Sequence, residues 1–361
     1  MKFFRIFSVE NRGDVHHEDE CEEWSSLQSV TAAVVVFNGA ENIRACLDSL
    51  VRQNYPRELI EILIVDNDST DETQQIVKGY CSRFAHVRMV INPIRGIACS
   101  RNLALEQARF EWIAFTDSDC VVPIDWLSRL VEGFERHAQE QHNLAGVGSA
   151  NEPPQNESRF YRALGVFLQT FLGNHGSAQG KQWSSDRVVS HLPTVNVLYR
   201  KECIEQVGGF DVTFGNIGED QDLSYRLGDR GFVLIYCAGN AVTHKLRPTR
   251  TAWFKNMALY GKGRMWLMFK HPQKIKCVLL LPMLLVAVIL LPVVFGLGYF
   301  GWLPVLYFGS VLIYSIMICF KYKCLDLLFD LYFLYIGTHI AYGVGEWTGI
   351  LKRRKTKQPQ K

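Results

Sequence analysis

Two aspartates, Asp117 and Asp119, stand one residue apart directly after the apolar run Trp112–Thr116. At the end of a β-strand, both carboxylates of such a pair can point into one crevice. Hard divalent cations such as Mg²⁺ and Mn²⁺ take oxygen ligands and usually share them with substrate phosphates. Acidic turns are also common without a metal, and it is the position after an apolar strand that favours a divalent-metal site here.

A second acidic segment, Glu219-Asp220-Gln221-Asp222, places three carboxylates within four residues. A carboxylate within hydrogen-bonding reach of a hydroxyl group can act as a general base, typically for about 10²–10⁴-fold in rate. The three cannot all be bases, and if a helix begins here Asp222 would favour the positive end of the helix dipole, which is a structural role. The residues alone leave open which of the three does chemistry.

Three basic or titratable residues further along are weaker candidates. His244 follows the apolar run Phe232–Tyr236 and precedes basic residues. It is a candidate ligand for a metal or a phosphate group, and a buried or helix-end histidine is an equally good interpretation. Arg247 and Arg264 are candidates for contact with a diphosphate or with lipid headgroups.

A regular alternation of strands and helices positions the first of these residues. The sequence predicts strands at Val30–Phe37, Ile60–Val65, Val87–Ile91 and Trp112–Thr116, and helices at Ala40–Gln53, Glu72–Ala85 and Ile97–Ala108. This pattern predicts a parallel sheet with helices on its faces, and such sheets bind ligands at the carboxyl ends of their strands. Polar residues follow three of these strands, at Asn38, at Asp66–Asp71 and at Asp117 and Asp119. We therefore expect them to line one crevice. The first strand lacks a following GxGxxG, which disfavours a dinucleotide cofactor.

Five ordered segments carry a more specific signal. Val34–Leu50, Val65–Thr73, Gly96–Asn102 and Phe115–Asp119 resemble, in the same order, the motifs of inverting family 2 glycosyltransferases, and Thr194–Gly231 looks like that family's acceptor-side block. The resemblance covers roughly residues 30–265. It implies a GT-A fold, an α/β fold on a Rossmann-like mixed sheet, together with a nucleotide-sugar donor and Mn²⁺ or Mg²⁺ as cofactor.

The resemblance also implies roles for individual residues. The donor-binding residues would be Asn38, Asp66 and Asn67 around the base and ribose, Arg101 and Asn102 on the donor side, and Asp117 at the ribose or donor sugar. Asp119 would hold the metal on the diphosphate, with Asp117 and His244 as further candidate ligands. Asp220 would be the general base, and Glu219 and Asp222 would lie on the acceptor side. Asn67 stands where many members have aspartate, which leaves the identity of the base open.

The composition excludes several other classes of protein. The chain has 361 residues, with 39 Lys and Arg against 36 Asp and Glu, a net charge of +3. This balance excludes a globally basic nucleic-acid binder and an acidic disordered chain. Ten scattered cysteines without a CxxC or CxxH pair indicate a reducing, cytosolic location, and they disfavour structural zinc and iron–sulfur clusters.

The later part of the chain is apolar enough to predict a membrane region. The uncharged runs Val278–Phe295 and Trp302–Phe320 are each long enough to cross a hydrocarbon core of ~30 Å, and flanking lysines place both ends of this hairpin in the cytoplasm. A third stretch, Leu325–Ile350, carries four polar residues that are costly in mid-bilayer, namely Asp326, Asp330, His339 and Glu346. We predict that it is interfacial or re-entrant, with spanning as the alternative. Segment 251–276 mixes aromatic and basic residues, as in a helix at a membrane surface.

The chain is thus predicted to have six parts: a polar tail (1–28), a nucleotide-sugar-binding half (29–125), an acceptor-binding half (126–250), an amphipathic juxtamembrane segment (251–276), a membrane region (277–350) and a basic tail (351–361). The predicted function is inverting transfer of a sugar from a nucleotide-diphosphate donor, with a UDP-sugar favoured, to a lipid-linked or polysaccharide acceptor. The enzyme would be a multi-pass membrane protein with a cytoplasmic catalytic domain, and membrane lipids but no nucleic acid as partners. The alternatives are a sugar-phosphate nucleotidyltransferase and a membrane scaffold with a degenerate transferase fold.

Overall fold

The computed structural model describes residues 27–174, 180–295 and 301–352. Most of the two predicted tails, and residues 296–300 in the connector of the predicted hairpin, lie outside these described residues.

The strands lie in two sheets. In chain order they are β1 (Val30–Val36), β2 (Ile60–Asp66), β3 (Val87–Ile91), β4 (Trp112–Asp117), β5 (Cys120–Val121), β6 (Leu144–Gly148), β7 (Asn151–Glu152), β8 (Arg187–Val189), β9 (Asn196–Arg200), β10 (Val233–Tyr236) and β11 (Val242–His244). The larger sheet has eight strands in the order β3-β2-β1-β4-β9-β6-β10-β8. Strands β1 to β4 are mutually parallel, whereas β9 runs antiparallel to both of its neighbours. The mixed α/β sheet that the sequence predicts is confirmed.

The helices cover the sheet and then form a separate C-terminal layer. They are α1 (Ile43–Leu50), α2 (Thr73–Arg83), α3 (Ile97–Gln107), α4 (Trp126–Ala138), α5 (Arg159–Leu168), α6 (Phe171–Asn174), α7 (Lys201–Gln206), α8 (Glu219–Asp229), α9 (Arg250–Lys270), α10 (Leu281–Phe295), α11 (Trp302–Tyr322) and α12 (Leu328–Leu351). Short 3₁₀ turns lie at Val212–Phe214, Pro272–Lys274, Cys277–Leu280 and Leu325–Leu327.

The central strands are mostly apolar because both faces of the sheet are covered. In β2, Ile62 and Ile64 pack into the core on one face, and Leu63 and Val65 pack into the core on the other. Alternate residues of a strand point to opposite faces, so a strand between two helical layers needs a continuous apolar run. Asp66 ends that run, and it is nevertheless completely buried.

The smaller sheet consists of β5, β11 and β7. Its register pairs His244 of β11 with Cys120 of β5, and Val242 of β11 with Asn151 of β7. This pairing brings the end of β11 beside the Asp117–Asp119 turn, although the two segments are far apart in the sequence.

Helix α9 lies between the sheet domain and α12. On one side, a Cβ atom added at Gly263 would come within 2.5 Å of the Ile217 side chain, and the Lys270 ammonium donates to Asp211 at 2.6 Å. On the other side it meets α12 along most of its length. The sequence predicts an amphipathic surface helix at 251–276; the helix exists, but its apolar residues fall on more than one face because it has neighbours on two sides.

Glycines allow α12 to approach its neighbours closely. A Cβ atom at Gly345 would overlap the carbonyl oxygen of Ala258 in α9, and one at Gly343 would overlap that of Pro282 in α10. Later residues of α9 contact later residues of α12. Trp253 Nε1 donates to Thr338 Oγ1 at 2.9 Å, and Ala258, further along α9, contacts Gly345, further along α12. The two helices therefore run parallel, with backbones in contact where small residues remove the side chains.

The polar residues of α12 face the protein, and its large apolar residues face outwards. Asp330, His339 and Glu346 are buried, and Asp330 pairs with Arg159 of α5 at 2.8 Å and with Arg250 of α9. The exposed apolar side chains of this helix are Phe329, Phe333, Val344, Trp347 and Leu351. This distribution is the reverse of that of a surface helix in water.

Two helical stretches, Trp302–Tyr322 and Leu325–Leu351, are long and apolar enough to cross a membrane, as judged from length and composition. Helix α10 is shorter. The 15 residues of this helix within the described part of the chain fall short of a hydrocarbon core of ~30 Å at 1.5 Å per residue. The run Val278–Phe295, predicted to span, begins instead with the 3₁₀ turn Cys277–Leu280.

Candidate active site

The carboxyl ends of β1, β2 and β4 form one crevice, as the sequence predicts. The parallel register pairs Val36 of β1 with Asp66 of β2, and Val35 of β1 with Asp117 of β4. Asn38 follows two residues beyond β1 with a left-handed backbone (φ 48°). Its side-chain oxygen accepts from the Thr70 backbone N–H at 2.8 Å, which ties the end of β1 to the loop after β2.

Asp66 has one carboxylate oxygen without a hydrogen-bond partner among the described residues, in the part of the crevice where the nucleotide is predicted to bind. Its Oδ1 atom accepts hydrogen bonds from the Ser69 backbone N–H and from Gln74 Nε2, both at 2.9 Å. Its Oδ2 atom is buried and has no hydrogen-bond partner among the described residues. A buried acceptor without a partner costs free energy, so this oxygen is suited to a donor group from a ligand.

Asn67 is buried and belongs to the same corner. In the amide orientation that satisfies both side-chain atoms, it donates to the Ile94 carbonyl at 3.2 Å and accepts from the Gly96 backbone N–H at 3.1 Å. Asn67 therefore holds the segment before α3 against the end of β2. This observation gives Asn67 a positioning role beside the donor-side crevice.

Asp119 and His244 form the corner that the sequence predicts to ligate a metal, called the metal-ligating corner below. Asp119 Oδ1 lies 3.2 Å from His244 Nε2, and the other ring nitrogen of His244 lies 2.9 Å from Asn151 Nδ2. Burial works against both charges, but each partner's charge prevails, so the pKa of Asp119 is lowered and the pKa of His244 is raised. The Asn151 amide nitrogen is a hydrogen-bond donor, and this contact fixes the orientation of the His244 ring, with Nε2 directed at Asp119.

The donor set of this corner fits Mn²⁺ or Mg²⁺. Ligand atoms of Asp119, Cys120 and His244 lie within 4.8 Å of one another. Burial, and then the charges of Asp117 and Asp119, raise the pKa of the Cys120 thiol well above its usual range. A protonated thiol is a poor ligand, which leaves a carboxylate and an imidazole for the ion.

Arg101 links the Asp117 turn to the start of α8. Its guanidinium pairs with Glu219, and its Nη2 atom lies 3.4 Å from Asp117 Oδ1. Burial raises the pKa of Glu219 to about 7, with the charge of Asp220 adding to the effect and Arg101 opposing it. Burial also raises the pKa of Asp117, against the influence of Arg101 and His244. Arg101 therefore organises the carboxylates that the sequence assigns to the donor and acceptor sides.

Asp220 lies at the N-terminus of α8, and a residue that sequence reasoning missed lies beside it. His191, in the segment between β8 and β9, places Nε2 at 3.3 Å from Asp220 Oδ2. Burial alone would raise the pKa of Asp220, but His191 and then Arg101 lower it to about 2. No motif marks His191 in the sequence, since it is a single histidine in an irregular segment.

Asp222 and Asn102 are occupied by contacts within the fold. Asp222 is fully buried, with Oδ1 at 2.8 Å from His271 Nε2 and Oδ2 at 2.8 Å from Arg226 Nε. It is therefore separated from the crevice, and its role is structural rather than on the acceptor side. Both amide atoms of Asn102 bond the backbone of Phe210, at 2.8 and 2.7 Å, so Asn102 fixes the turn at 208–211.

Arg247 and Arg264, the two candidates for contact with a diphosphate or with lipid headgroups, lie in different places. Arg264 donates from Nε to the Tyr342 hydroxyl at 3.1 Å and is held between α9 and α12. Arg247 is exposed, and its charge acts on both Asp119 and His244. Arg247 is thus the one of the pair that lies beside the metal-ligating corner.

Comparisons with known proteins identify the family. Residues 31–208 match the family described as Glycosyl transferase family 2. The glycosyltransferase AglE of Haloferax volcanii is 29% identical over 241 residues, which cover 66% of this chain and 74% of that protein. The pre-mycofactocin glycosyltransferase of Mycobacterium tuberculosis is 27% identical over 308 residues, which cover 84% of this chain but only 61% of that relative's length.

A solved structure shares the fold. The mannosyltransferase PcManGT from Pyrobaculum calidifontis, solved in complex with GDP-Man and Mn²⁺, superimposes with a TM-score of 0.59 at 18% identity, covering 93% of this chain and 94% of that one. Together with the mixed sheet, these matches confirm the GT-A fold that the sequence motifs imply. Residues 31–208 thus form a domain of glycosyltransferase family 2, and the protein is a glycosyltransferase.

Proposed function

We propose that this enzyme transfers a sugar from a nucleoside-diphosphate donor, preferably a UDP-sugar, to a lipid-linked or polysaccharide acceptor at a membrane surface, with inversion at the anomeric carbon. One observation carries the proposal. Arg101 pairs with both Asp117 and Glu219; Asp117 lies two residues before Asp119 of the Asp119–His244 corner, and Glu219 directly precedes Asp220, so a candidate metal site and a candidate base lie on the two sides of one ion-pair network. Inverting transfer needs a base for the acceptor and a cation for the leaving group, and needs no covalent nucleophile.

In the proposed step, the acceptor oxygen attacks the anomeric carbon from the face opposite the diphosphate. The acceptor O–H proton passes to Asp220, and the bond between the anomeric carbon and the diphosphate oxygen breaks with its electron pair leaving on the nucleoside diphosphate. Asp119 and His244 would hold Mn²⁺ or Mg²⁺, which supplies charge neutralisation for that leaving group. Arg247, exposed beside the same corner, would add a positive charge to the diphosphate.

The donor side supports a nucleotide without deciding the base. The free Oδ2 of Asp66 can accept one N–H from a base or one ribose hydroxyl. The structural relative binds GDP-Man, so a guanosine donor is the first competitor of the favoured uridine donor.

The outward-facing apolar side chains support attachment to a membrane. On α10 and α11 they include Leu281, Leu284, Val305, Leu306, Ile313, Met317 and Phe320, and they continue on α12 with Phe329 and Phe333. Lipid acyl chains would cover this surface. Helix α12 is fixed lengthwise to α9, which is itself in contact with the sheet domain. This arrangement favours α12 lying along the membrane surface, and it supports the proposal that the acceptor carries a lipid.

A donor screen tests the function. Detergent-purified protein is incubated with UDP-, GDP- and dTDP-sugars and with Mn²⁺ or Mg²⁺, and release of nucleoside diphosphate is measured with and without membrane lipid extract. We expect release from one donor, dependent on metal and stimulated by lipid. Full activity on a soluble sugar acceptor with no preference for lipid would remove the lipid-linked acceptor, and release of pyrophosphate would indicate a nucleotidyltransferase.

The base is tested by Asp220→Asn in the same assay. The variant should bind donor normally and lose transfer by about 10²–10⁴-fold, because only proton acceptance is removed. Asp229→Asn, on the exposed end of the same helix, is the matched control. A near-normal rate in Asp220→Asn would show that the base lies elsewhere.

A further inference from the structure

Three arginines lie together where the sheet domain meets the C-terminal helices. Arg159 of α5 pairs with Asp330 at 2.8 Å, and Arg250 of α9 pairs with the same carboxylate. Arg162 Nη2, further along α5, lies 3.2 Å from Asp326 Oδ2. Three guanidinium groups thus share two carboxylates. These five residues are called the arginine cluster below.

The helix ends around this cluster add to its positive charge. Helix α5 begins at Arg159, α9 begins at Arg250, and α12 begins at Leu328, between the two aspartates. The N-terminus of a helix carries a partial positive charge, so an arginine at this position does not stabilise the helix itself. Lys321 and Lys323, both exposed at the end of α11, add two further positive charges shortly before α12 begins. The cluster is therefore suited to an anion with more than one negative charge.

The inner and outer parts of the cluster have different surroundings. The Asp330 side chain is 8% exposed, and its pairs with Arg159 and Arg250 give those two arginines a structural role. The side chains of Arg162 and Asp326 are 50% and 49% exposed, and Asp326 is the only ion-pair partner of Arg162 in the described part of the chain. An exposed ion pair stabilises a fold little. The outer pair is therefore accessible to a ligand and is not needed to hold the helices together.

The cluster lies between the metal-ligating corner and the apolar outer surface. On one side, the Lys245 backbone N–H donates to the Asp119 carbonyl at 2.9 Å, and the stretch from Lys245 to Arg250 spans at most about 18 Å. On the other side, Leu325 and Phe329, which adjoin the two aspartates in the chain, expose their side chains. A molecule with its lipid chain on that surface and its sugar in the crevice would pass the cluster between the two.

We propose that the arginine cluster binds the phosphate or diphosphate group that joins lipid to sugar in the acceptor. This inference rests on the proposed function and names the acceptor class, a sugar linked to lipid through phosphate rather than a neutral glycolipid. Arg162 donates to the phosphate oxygens, in the geometry for which a guanidinium is suited. Arg159 and Arg250 supply positive charge behind it, and the phosphate takes the place of the Asp326 carboxylate.

Binding is tested without catalysis, in detergent and with EDTA, so that a diphosphate cannot bind through a metal at the Asp119–His244 corner. The probe is farnesyl diphosphate, an isoprenoid chain with a diphosphate, and titration calorimetry measures its affinity. Farnesol and inorganic pyrophosphate supply the lipid and the anion separately, and each should bind at least about tenfold more weakly than the joined molecule. Phosphatidylglycerol in the same micelles represents bulk anionic lipid and should compete only weakly.

Two substitutions distinguish a phosphate site from a structural ion pair. Arg162→Ala removes a donor and should weaken binding of farnesyl diphosphate about fivefold, whereas Asp326→Asn removes a competing carboxylate and should strengthen binding about fivefold. If the pair only stabilised the fold, both variants would lower the thermal midpoint and neither would bind more tightly. Arg83→Gln, at an exposed arginine at the end of α2 and near the start of β3, is the matched control.

Several binding results would overturn the assignment. They are no binding of farnesyl diphosphate to the wild-type protein, wild-type affinity in both variants, or weaker binding in Asp326→Asn. Equal affinity for phosphatidylglycerol, changed equally by the two substitutions, would make the cluster a general headgroup site and also refute an acceptor site. Circular dichroism identifies any misfolded variant, and a gain of affinity in Asp326→Asn cannot arise from misfolding.

Activity separates this inference from the proposed function. In the nucleoside-diphosphate release assay with membrane lipid extract, Arg162→Ala should raise the lipid concentration for half-maximal rate about fivefold and leave the KM for the donor unchanged. An unchanged lipid requirement in Arg162→Ala, with the wild-type enzyme stimulated by lipid, would refute the cluster alone. Release that does not respond to lipid in the wild-type enzyme would instead refute the lipid-linked acceptor of the proposed function.

Discussion

The geometry of the Asp119–His244 corner depends on the hydrogen bond between Asn151 and His244. Because Asn151 Nδ2 lies 2.9 Å from one ring nitrogen of His244, the other nitrogen is directed at Asp119. All three residues lie in or beside the small sheet, whose register sets their spacing. A ligand pair built on paired strands is held more firmly than one built on loops.

Asp119→Ala should remove the metal dependence of donor binding, because it takes away the carboxylate that faces His244 in the proposed metal site. We expect the affinity for the donor in the presence of Mn²⁺ to fall at least about tenfold, and to match the affinity measured without metal. Titration calorimetry with the donor, with and without Mn²⁺, measures both. Glu140→Ala, an exposed acid away from the crevice, is the control. A metal effect that survives in Asp119→Ala would place the ion elsewhere.

At the scale of elements, the junction between α8 and α9 holds the proposed base in place. Asp222 lies two residues after Asp220, and its Oδ1 atom contacts both Lys270 at 2.5 Å and His271 at 2.8 Å at the end of α9. Hydrogen bonding from His271, together with the charges of Arg226 and Lys270, lowers the pKa of Asp222 against the effect of burial. A lowered pKa in the folded state means that this carboxylate stabilises the fold while it is ionised.

Asp222→Asn should therefore lower the free energy of unfolding at pH 7. In acid, where Asp222 of the wild-type protein is also uncharged, the substitution should have little effect on stability. Breaking a buried ion pair costs about 3 kcal/mol or more. The stabilisation is complete above the unfolded-state pKa of about 3.9 and is lost as the pH falls through the lower, folded-state pKa. Thermal unfolding in one detergent, followed from pH 7 downwards, should show the two proteins converging below about pH 4. Asp229→Asn, whose pair with Lys274 is exposed, should shift stability by less than about 1 kcal/mol. A gap that persists in acid would contradict the argument.

Gly345→Leu tests the close packing of α12 on α9. Any Cβ atom at this position overlaps the Ala258 carbonyl oxygen, so the helices must move apart. Overpacking of this kind typically costs about 1–3 kcal/mol. The thermal midpoint in detergent should fall, whereas Gly309→Ala in α11, where a Cβ atom meets nothing within 4 Å, should leave it unchanged or raise it. Equal midpoints for both variants would mean that this contact does not stabilise the protein.

The sequence predicts the parallel half of the sheet well because that signal is local. The apolar runs end at the strand ends, and the predicted Val87–Ile91 coincides with β3. The carboxylates at those strand ends are predictable for the same reason, because each directly follows an apolar run. The contacts of His191, Asn151 and Arg264 could not be predicted, because each joins residues that are far apart in the chain. None of the three contacts leaves a periodic pattern in the sequence. The prediction that residues 251–276 form an amphipathic helix is wrong because α9 is covered on two sides.

At the scale of the whole molecule, the C-terminal layer has polar side chains inside and large apolar side chains outside, which is the reverse of a soluble domain. Trp302 and Trp347 are 56% and 39% exposed on the outer side of α11 and α12, whereas Trp126 is completely buried in the sheet domain. If lipid covers that outer side, the two groups of tryptophans should report different surroundings.

Quenching of tryptophan fluorescence by lipids brominated on their acyl chains measures this difference. In vesicles of such lipids, replacing Trp302 and Trp347 together by Phe should remove most of the quenching. Trp126→Phe, at a fully buried position, should leave the quenched fraction unchanged or larger, since it removes an unquenched emitter. Undiminished quenching in the double variant would mean that acyl chains do not contact this surface.

The parallel packing of α9 against α12 also sets the order in which parts of the protein can fold during synthesis. Helix α9 leaves the ribosome well before α12, and until then Trp253 Nε1 lacks Thr338 and the Arg250 guanidinium lacks Asp330. The nascent chain therefore carries a sheet domain that can close its own core while one flank of α9 is still bare. Docking of α12 completes the protein, and a nearby bilayer or a chaperone must shield that flank in the meantime.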